Sequence, residues 1–100
     1  MLNFSKVKVL ARGYESVLVR RLLPDGEQQG NEYVATNPTR NDHSVGSFKV
    51  NLGTFKWADF ATGDAGGDVI SLWAYVRGLT QAEAAKEILT VLEKDIEYVR

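Results

Sequence analysis

The residue types that carry out chemistry are few in this chain and lie mostly between positions 37 and 70. His43 is the single histidine, and there is no cysteine. A hydrolase or transferase needs a nucleophile with a base beside it, and no Gly-x-Ser-x-Gly turn supplies one here. Asp59 and Asp64 offer carboxylates for acid–base or Mg²⁺ chemistry, but their spacing favours one turn acid and one loop acid. The sequence therefore predicts no enzymatic activity, with His43 a solvated loop residue.

A second candidate is the glycine-rich segment GDAGGD at 63–68, which precedes a predicted helix. Backbone N–H groups at the start of a helix attract phosphate groups. The segment lacks the Gly-Lys-Ser/Thr of a P-loop and the spacing of a dinucleotide fingerprint, and Asp64 and Asp68 would repel an anion. Because Asp68 is a good N-cap, a structural turn is favoured over a phosphate site.

Aromatic and cationic side chains occur together along a predicted hairpin and are the stronger candidates for a binding site. They are Phe48, Phe55, Trp57 and Phe60 with Arg40, Lys49 and Lys56. Such a set suits stacking on unpaired bases, at about 1–3 kcal/mol per stacked base. The competing interpretation is that the aromatic rings form the core of a small domain. Alternation along the second strand divides its side chains between two faces, Phe55, Trp57 and Asp59 on one and Lys56, Ala58 and Phe60 on the other.

Helices are predicted at both ends of the chain. An apolar stripe at helical spacing indicates a first helix over residues 4–22, interrupted by Gly13, which costs about 1 kcal/mol relative to alanine and favours a break or kink there. After Asp68, a second helix is expected to run to Arg77 and to stop at Gly78. Thr80 and Glu83 have the spacing of a capping box at the start of a last helix.

Three strands are predicted between these helices, at 32–36, 47–52 and 55–60, the last two as a β-hairpin. The predicted fold is α+β, with a three-stranded antiparallel sheet, one N-terminal helix and two C-terminal helices. We expect one domain over residues 1–100, in which 1–30 form a helix and turn, 31–67 the sheet and 68–100 two helices.

Charge and hydropathy narrow the classes of function. The net charge of −1 hides an asymmetry, since residues 1–60 carry +2 and residues 61–100 carry −3. The basic half thus contains the hairpin, although the small net charge lowers the expectation of nucleic-acid binding. No segment has the apolar length of a signal peptide or a membrane span, which predicts a cytoplasmic protein.

Residues 33–78 resemble the zinc-binding, zinc-ribbon domain of bacterial DNA primases. The resemblance is carried by the turn at Asn37-Pro38, the Ser47-Phe48 step, the Gly67-Asp68 helix entry and the Gly78-Leu79-Thr80 boundary. A closer resemblance is to the amino-terminal segments of phage- and plasmid-type primase or helicase proteins, which carry the NPTR, GSFK, KWADFATG and GGD steps without cysteines. It implies a module of a larger protein, placed ahead of a catalytic region.

The zinc ligands of the primase family are replaced in this chain. Asn37 and Arg40 stand at the first ligand pair and Phe60 and Gly63 at the second. These four side chains cannot build a tetrahedral zinc site, so we expect no metal and no other cofactor. Because zinc contributes strongly to folding in such domains, something must replace it. The hypothesis from the sequence is that Phe60, Trp57 and the N-terminal helix fill the space.

The resemblance implies a non-catalytic, single-stranded DNA-binding module in a replication protein of a mobile element, joined to a catalytic primase or helicase region. By position, DNA contact would fall to Arg40, Lys49, Lys56 and Trp57. The alternative is a protein-docking module of the same protein, held by intermolecular or intramolecular contacts without DNA. The acidic last helix favours that alternative, and an exposed apolar patch would support it further.

Overall fold

The computed structural model describes residues 3–40 and 46–95, the last of these by its backbone alone. In this part of the chain, helices α1–α4 span Phe4–Ala11, Glu15–Leu22, Val69–Arg77 and Gln81–Asp95. Strands β1–β5 span Glu27–Gln29, Glu32–Ala35, Phe48–Asn51, Trp57–Asp59 and Ala65–Gly66. The α+β class and the antiparallel sheet are confirmed, whereas the expected three strands and three helices were too few. His43 lies outside the described residues.

The predicted N-terminal helix is two helices, and the break falls at Gly13. This glycine has a φ of +88°, a left-handed conformation that a side chain disfavours and that ends α1. Helix α1 buries Val7 and Ala11, and α2 buries Leu18 and Val19. The apolar stripe is therefore divided between two short helices, each of which contributes buried residues to the core.

The sheet has the order β1-β2-β3-β4-β5, with every neighbouring pair antiparallel. Strand β1 has the sequence EQQ and is exposed throughout, so no apolar alternation marked it. Strand β5 is two residues of the glycine-rich segment at 63–68. The sheet consequently begins at residue 27, before the expected boundary at 31.

One face of the sheet packs against the helices and forms the core. Across β2, β3 and β4, one row of this inner face is Tyr33, Val50 and Trp57, and the next is Ala35, Phe48 and Asp59. All six residues are buried. Tyr75 of α3 reaches the sheet, with its ring stacked 6.1 Å from that of Phe48. The inner face is thus apolar except at Asp59.

The turn between β3 and β4 is built from side-chain contacts as well as backbone. The Asn51 Oδ1 atom accepts hydrogen bonds from the backbone N–H groups of Gly53 and Thr54, at 2.7 and 3.1 Å. Phe55 has a φ of +66°, although its side chain is buried. A bulky residue is uncommon in this conformation, and here core burial of the ring offsets the backbone strain.

The ends of α3 and α4 follow the sequence predictions. The Asp68 side chain caps α3 by accepting from the Ser71 N–H at 2.8 Å, and Gly78 ends that helix with a φ of +67°. Thr80 and Glu83 form the predicted capping box, with bonds of 3.0 and 3.1 Å. These contacts fix where α3 starts beneath the sheet and therefore where Tyr75 meets it.

Candidate nucleic-acid interface and adjoining polar cluster

The four residues predicted to contact DNA are divided between two environments. Lys49 of β3 and Lys56, directly before β4, lie on the side of the sheet opposite the core. Trp57 points into the core, and Arg40 is held by hydrogen bonds in the turn that follows β2. Only the two lysines of this set therefore lie together on an accessible surface.

Phe60 adds an aromatic ring to that surface. Its backbone N–H donates to the Ser47 carbonyl at 2.8 Å, which extends the ladder between β3 and β4 by one residue. The residue is 71% exposed, and the Lys49 Nζ atom lies 5.6 Å from its ring centroid. We call Lys49, Lys56, Ala58 and Phe60 the outer face of β3 and β4. It presents an open ring beside the Lys49 cation, with Lys56 further along the same face.

Trp57 cannot stack on a base in this fold. It is 6% exposed, its ring centroid lies 4.6 Å from that of Tyr75 and 5.8 Å from that of Phe48, and its indole N–H donates to Ser71 Oγ at 3.0 Å. The ring therefore joins β4 to α3. Of these two aromatic residues, Trp57 is buried in the core and Phe60 is exposed to solvent.

Arg40 joins the turn after β2 to the end of β4. Its guanidinium donates to both carboxylate oxygens of Asp59, at 2.9 and 3.3 Å, and to Ser47 Oγ at 3.1 Å. Its side chain is 31% exposed, against 0% for Asp59. The two parallel bonds give the bidentate geometry of a strong arginine–carboxylate pair. These contacts indicate a structural role for Arg40.

Asp59 is the buried acid of this arrangement. Hydrogen bonds from Arg40 hold the pKa of its carboxyl far below the usual range, against the burial that would raise it, and the Asn37 amide and Ala61 N–H add to the effect. The Asn37 Nδ2 atom lies 2.7 Å from Asp59 Oδ2, and the Ala61 N atom 2.8 Å from Oδ1. Asp59 is therefore ionised at any physiological pH.

Asn37 and Tyr75 extend the network to α3. Asn37 also donates to the Tyr75 hydroxyl at 2.9 Å, and that hydroxyl donates to Asp64 at 2.8 Å. We call Asn37, Arg40, Asp59, Asp64 and Tyr75 the polar cluster. Among the described residues, every buried side-chain nitrogen and oxygen has a hydrogen-bond partner. The cluster therefore connects two turns, a strand and a helix with its buried polar groups satisfied.

The residues at the zinc-ligand positions do not fit zinc. Asn37, Arg40, Phe60 and Gly63 offer no thiolate or imidazole, and a guanidinium repels a cation. Within the described ranges, no group of three or more His, Cys, Asp or Glu side chains is placed to hold a metal ion. Asp59 instead connects the two turns: it binds Asn37 and Arg40 by its side chain, and its carbonyl accepts from the Gly63 N–H at 2.8 Å.

One part of the packing hypothesis from the sequence was wrong, because Phe60 is largely exposed and fills no interior space. Trp57 is a core residue, as expected. Helix α1 contributes buried residues to the same core and packs against α3 and α4, and whether it replaces a metal site stays a prediction. Sequence reasoning missed the polar cluster because Asn37, Asp59 and Tyr75 are distant in the chain. The available signal was the predicted alternation, which already placed Asp59 on the same face as Trp57.

A second surface of interest lies on the two N-terminal helices. Val9 and Leu10 of α1 and Val17 of α2 are 54%, 45% and 46% exposed. Val9 faces away from the buried Val7 and Ala11 of the same helix. These side chains leave apolar surface in contact with solvent.

Comparison with protein-family models and with curated proteins returned no match for this chain. Across the described residues, no helix combines the length and the apolar character needed to cross a bilayer. The outer face of β3 and β4 and the polar cluster are therefore the features of the described residues that bear on function.

Proposed function

We propose that this chain is a non-catalytic module of a DNA replication protein of primase or helicase type, and that it binds single-stranded DNA through the outer face of β3 and β4. The observation that carries the proposal is the exposure of Phe60 beside Lys49. An open ring next to a cation can stack on an unpaired base while the lysine contacts the adjacent phosphate. The residue resemblance to primase zinc ribbons supplies the class of protein.

The residues proposed here to contact DNA differ from those predicted from the sequence. Lys49 and Lys56 remain, and Phe60 takes the stacking role first given to Trp57. Arg40 becomes a positioning residue, since its bonds to Asp59 and Ser47 fix the turn beside Phe60. Two lysines and one ring make a small interface, so affinity should be weak and should fall as salt is added.

Fluorescence anisotropy with a labelled oligothymidine at low salt tests this proposal. We expect Phe60→Ala to weaken binding by about 1–3 kcal/mol, roughly 5- to 150-fold. Phe4→Ala is the matched control, because Phe4 is an exposed phenylalanine on α1, away from the sheet. Equal affinity of wild type and Phe60→Ala, or no binding by the wild type at all, would contradict the assignment.

The second candidate is the docking module, and the exposed apolar side chains of α1 and α2 favour it. Val9, Leu10 and Val17 would bind the catalytic primase or helicase region of the parent protein. Calorimetric titration of this chain with that region would show binding that Val9→Ser with Leu10→Ser removes. If those changes left the titration unaltered, this surface would have no docking role. The two functions use different surfaces and are compatible in one protein.

A further inference from the structure

A groove lies on the helical layer, between the end of α2 and the pair formed by α3 and α4. Its volume is about 570 Å³, within the range of small-ligand sites. Arg21 and Leu22 form the α2 wall, Trp73 and Arg77 come from α3, and Lys86, Glu87 and Val91 come from α4. The groove shares no residue with the outer face of β3 and β4 or with the polar cluster.

The lining is cationic although it lies largely in the acidic half of the chain. Arg21, Arg77 and Lys86 carry positive charge, and Glu87 is the carboxylate among the residues that form the walls. The chain as a whole has a net charge of −1. A local excess of cations in a concave site attracts anions, because the surrounding low-dielectric walls focus the field.

Glu87 is engaged within the protein and offsets one of the three positive charges, so that the charged residues of the lining sum to +2. Its carboxylate accepts from the Trp73 indole N–H at 2.9 Å and from Arg77 at 3.1 and 3.2 Å. A guanidinium carries five N–H donors, so Arg77 keeps donors for a second acceptor. Glu87 thus orients Arg77 on the groove through a two-bond arginine–carboxylate pair.

The remaining lining is apolar except at Thr90, which suits a ligand with an organic body as well as a charge. The buried Trp73 and the side chains of Leu22 and Val91 form this part of the lining. Inorganic anions need no such surface, whereas a nucleotide places a sugar and base beside its phosphate. Guanidinium and ammonium groups are the usual partners of phosphate oxygens.

We propose that this groove binds the phosphate of a nucleotide, either a free mononucleotide or the phosphorylated end of a DNA strand. Arg77 and Lys86 contact the phosphate oxygens from α3 and α4, and Arg21 completes the site from α2. The sugar and base lie against Leu22 and Val91. This site is separate from the proposed DNA surface on the sheet and does not depend on it.

Nuclear magnetic resonance of the two indole N–H groups tests this proposal directly. The chain has two tryptophans, Trp57 and Trp73, and only Trp73 lines the groove. Thymidine monophosphate at millimolar concentration should shift the Trp73 signal in a saturable manner and leave the Trp57 signal in place. Lys86→Gln and Arg21→Gln should each raise the Kd about threefold, as expected for exposed charge contacts.

Lys94→Gln is the matched control, since it removes an exposed lysine from the same helix outside the groove. A Trp73 signal that does not move, or that titrates with the same Kd in wild type and Lys86→Gln, would overturn the proposal. A response of the same size to inorganic phosphate would remove the nucleotide assignment, and one to a short oligoglutamate would remove the phosphate assignment.

Oligothymidine with and without a 5′-phosphate distinguishes a free mononucleotide from a phosphorylated strand end as the ligand. The same experiment distinguishes binding in the groove from binding on the outer face of β3 and β4. If the strand end is the ligand, the 5′-phosphorylated oligomer should shift Trp73 and the unphosphorylated one should not. If only the mononucleotide shifts it, the free nucleotide is the ligand. Loss of oligomer binding in Phe60→Ala, with a Trp73 signal that responds neither to the oligomers nor to the mononucleotide, would overturn the groove and support the sheet surface. A Trp73 response to either ligand, with oligomer binding unchanged in Phe60→Ala, would support the groove and contradict the sheet surface.

Discussion

Arg40 donates hydrogen bonds to both carboxylate oxygens of Asp59, at 2.9 and 3.3 Å, and so joins the turn after β2 to the end of β4. The primase zinc ribbons that residues 33–78 resemble hold a metal ion between the corresponding turns, whereas in this chain an ion pair with a buried carboxylate connects them. Burying a carboxylate costs free energy unless it is paired and hydrogen-bonded, and Asp59 is both. The pair therefore stabilises the fold only as long as both partners are present.

Removing either partner should destabilise the protein. We expect Asp59→Asn and Arg40→Ala each to lower the free energy of unfolding by about 2–3 kcal/mol. In Asp59→Asn the new amide nitrogen has to face donors from Asn37 or Ala61, and in Arg40→Ala a buried carboxylate loses its cation. Urea unfolding followed by circular dichroism measures both, with Asp25→Asn as an exposed control. If the changes in the two single variants added fully in the double variant, the coupling described here would be absent.

The same pair predicts a pH dependence. In the folded state the pKa of Asp59 is lowered from the usual 3.8, chiefly by Arg40, so the ionised carboxylate stabilises the fold above pH 3.8. This stabilisation is lost as the pH falls from 3.8 towards the pKa of the folded state, because the unfolded chain then binds the proton more readily. The stability difference between wild type and Asp59→Asn should be largest near pH 7 and should shrink below about pH 4. Other acids titrate in both proteins and cancel in that difference. A constant difference from pH 7 to 3 would contradict the prediction.

Salt dependence gives a quantitative test of the proposed DNA surface. Two lysine–phosphate contacts on a single strand predict a slope of about −1.4 in a plot of log K against log salt, and Lys56→Gln should reduce its magnitude by about 0.7. Lys6→Gln, which removes an exposed lysine on α1, should leave the slope unchanged. Anisotropy titrations across a salt series supply the measurement, and a slope that is unaltered in Lys56→Gln would exclude this lysine from the interface.

Two adjacent glycines offer a matched test of the packing around Trp57. A Cβ atom at Gly66 would overlap the Trp57 indole and lie 2.6 Å from Ser71 Oγ, whereas one at Gly67 would meet nothing within 4 Å. We expect Gly66→Ala to cost about 2 kcal/mol by displacing the ring, and Gly67→Ala to change stability by less than about 1 kcal/mol. Thermal unfolding and the Trp57 indole resonance report the two effects. Equal stability of the two variants would show that the ring moves aside without cost.

The sequence predicted the elements that carry a periodic apolar signal and missed those that do not. Helices α3 and α4, the Gly13 break and strands β2, β3 and β4 follow from stripes, alternation and caps. Strand β1 is polar and β5 is two residues long, so both depend on pairing with neighbours that no local pattern reports. At the candidate site, the lysines were placed correctly by alternation. Tertiary packing decided which aromatic ring entered the core and which polar groups met at Asp59.

The left-handed backbone at Phe55 has a consequence for which side chains reach solvent. Slipping the β3–β4 pairing by one residue would carry Lys56 into the interior and turn Trp57 outwards, since successive strand residues face opposite sides. Such a slip would also withdraw the Phe55 ring from the core, where it is now 6% exposed. Burial of the Phe55 ring thus favours the observed pairing register of β3 and β4. That register keeps Lys56 on the outer face and Trp57 in the core.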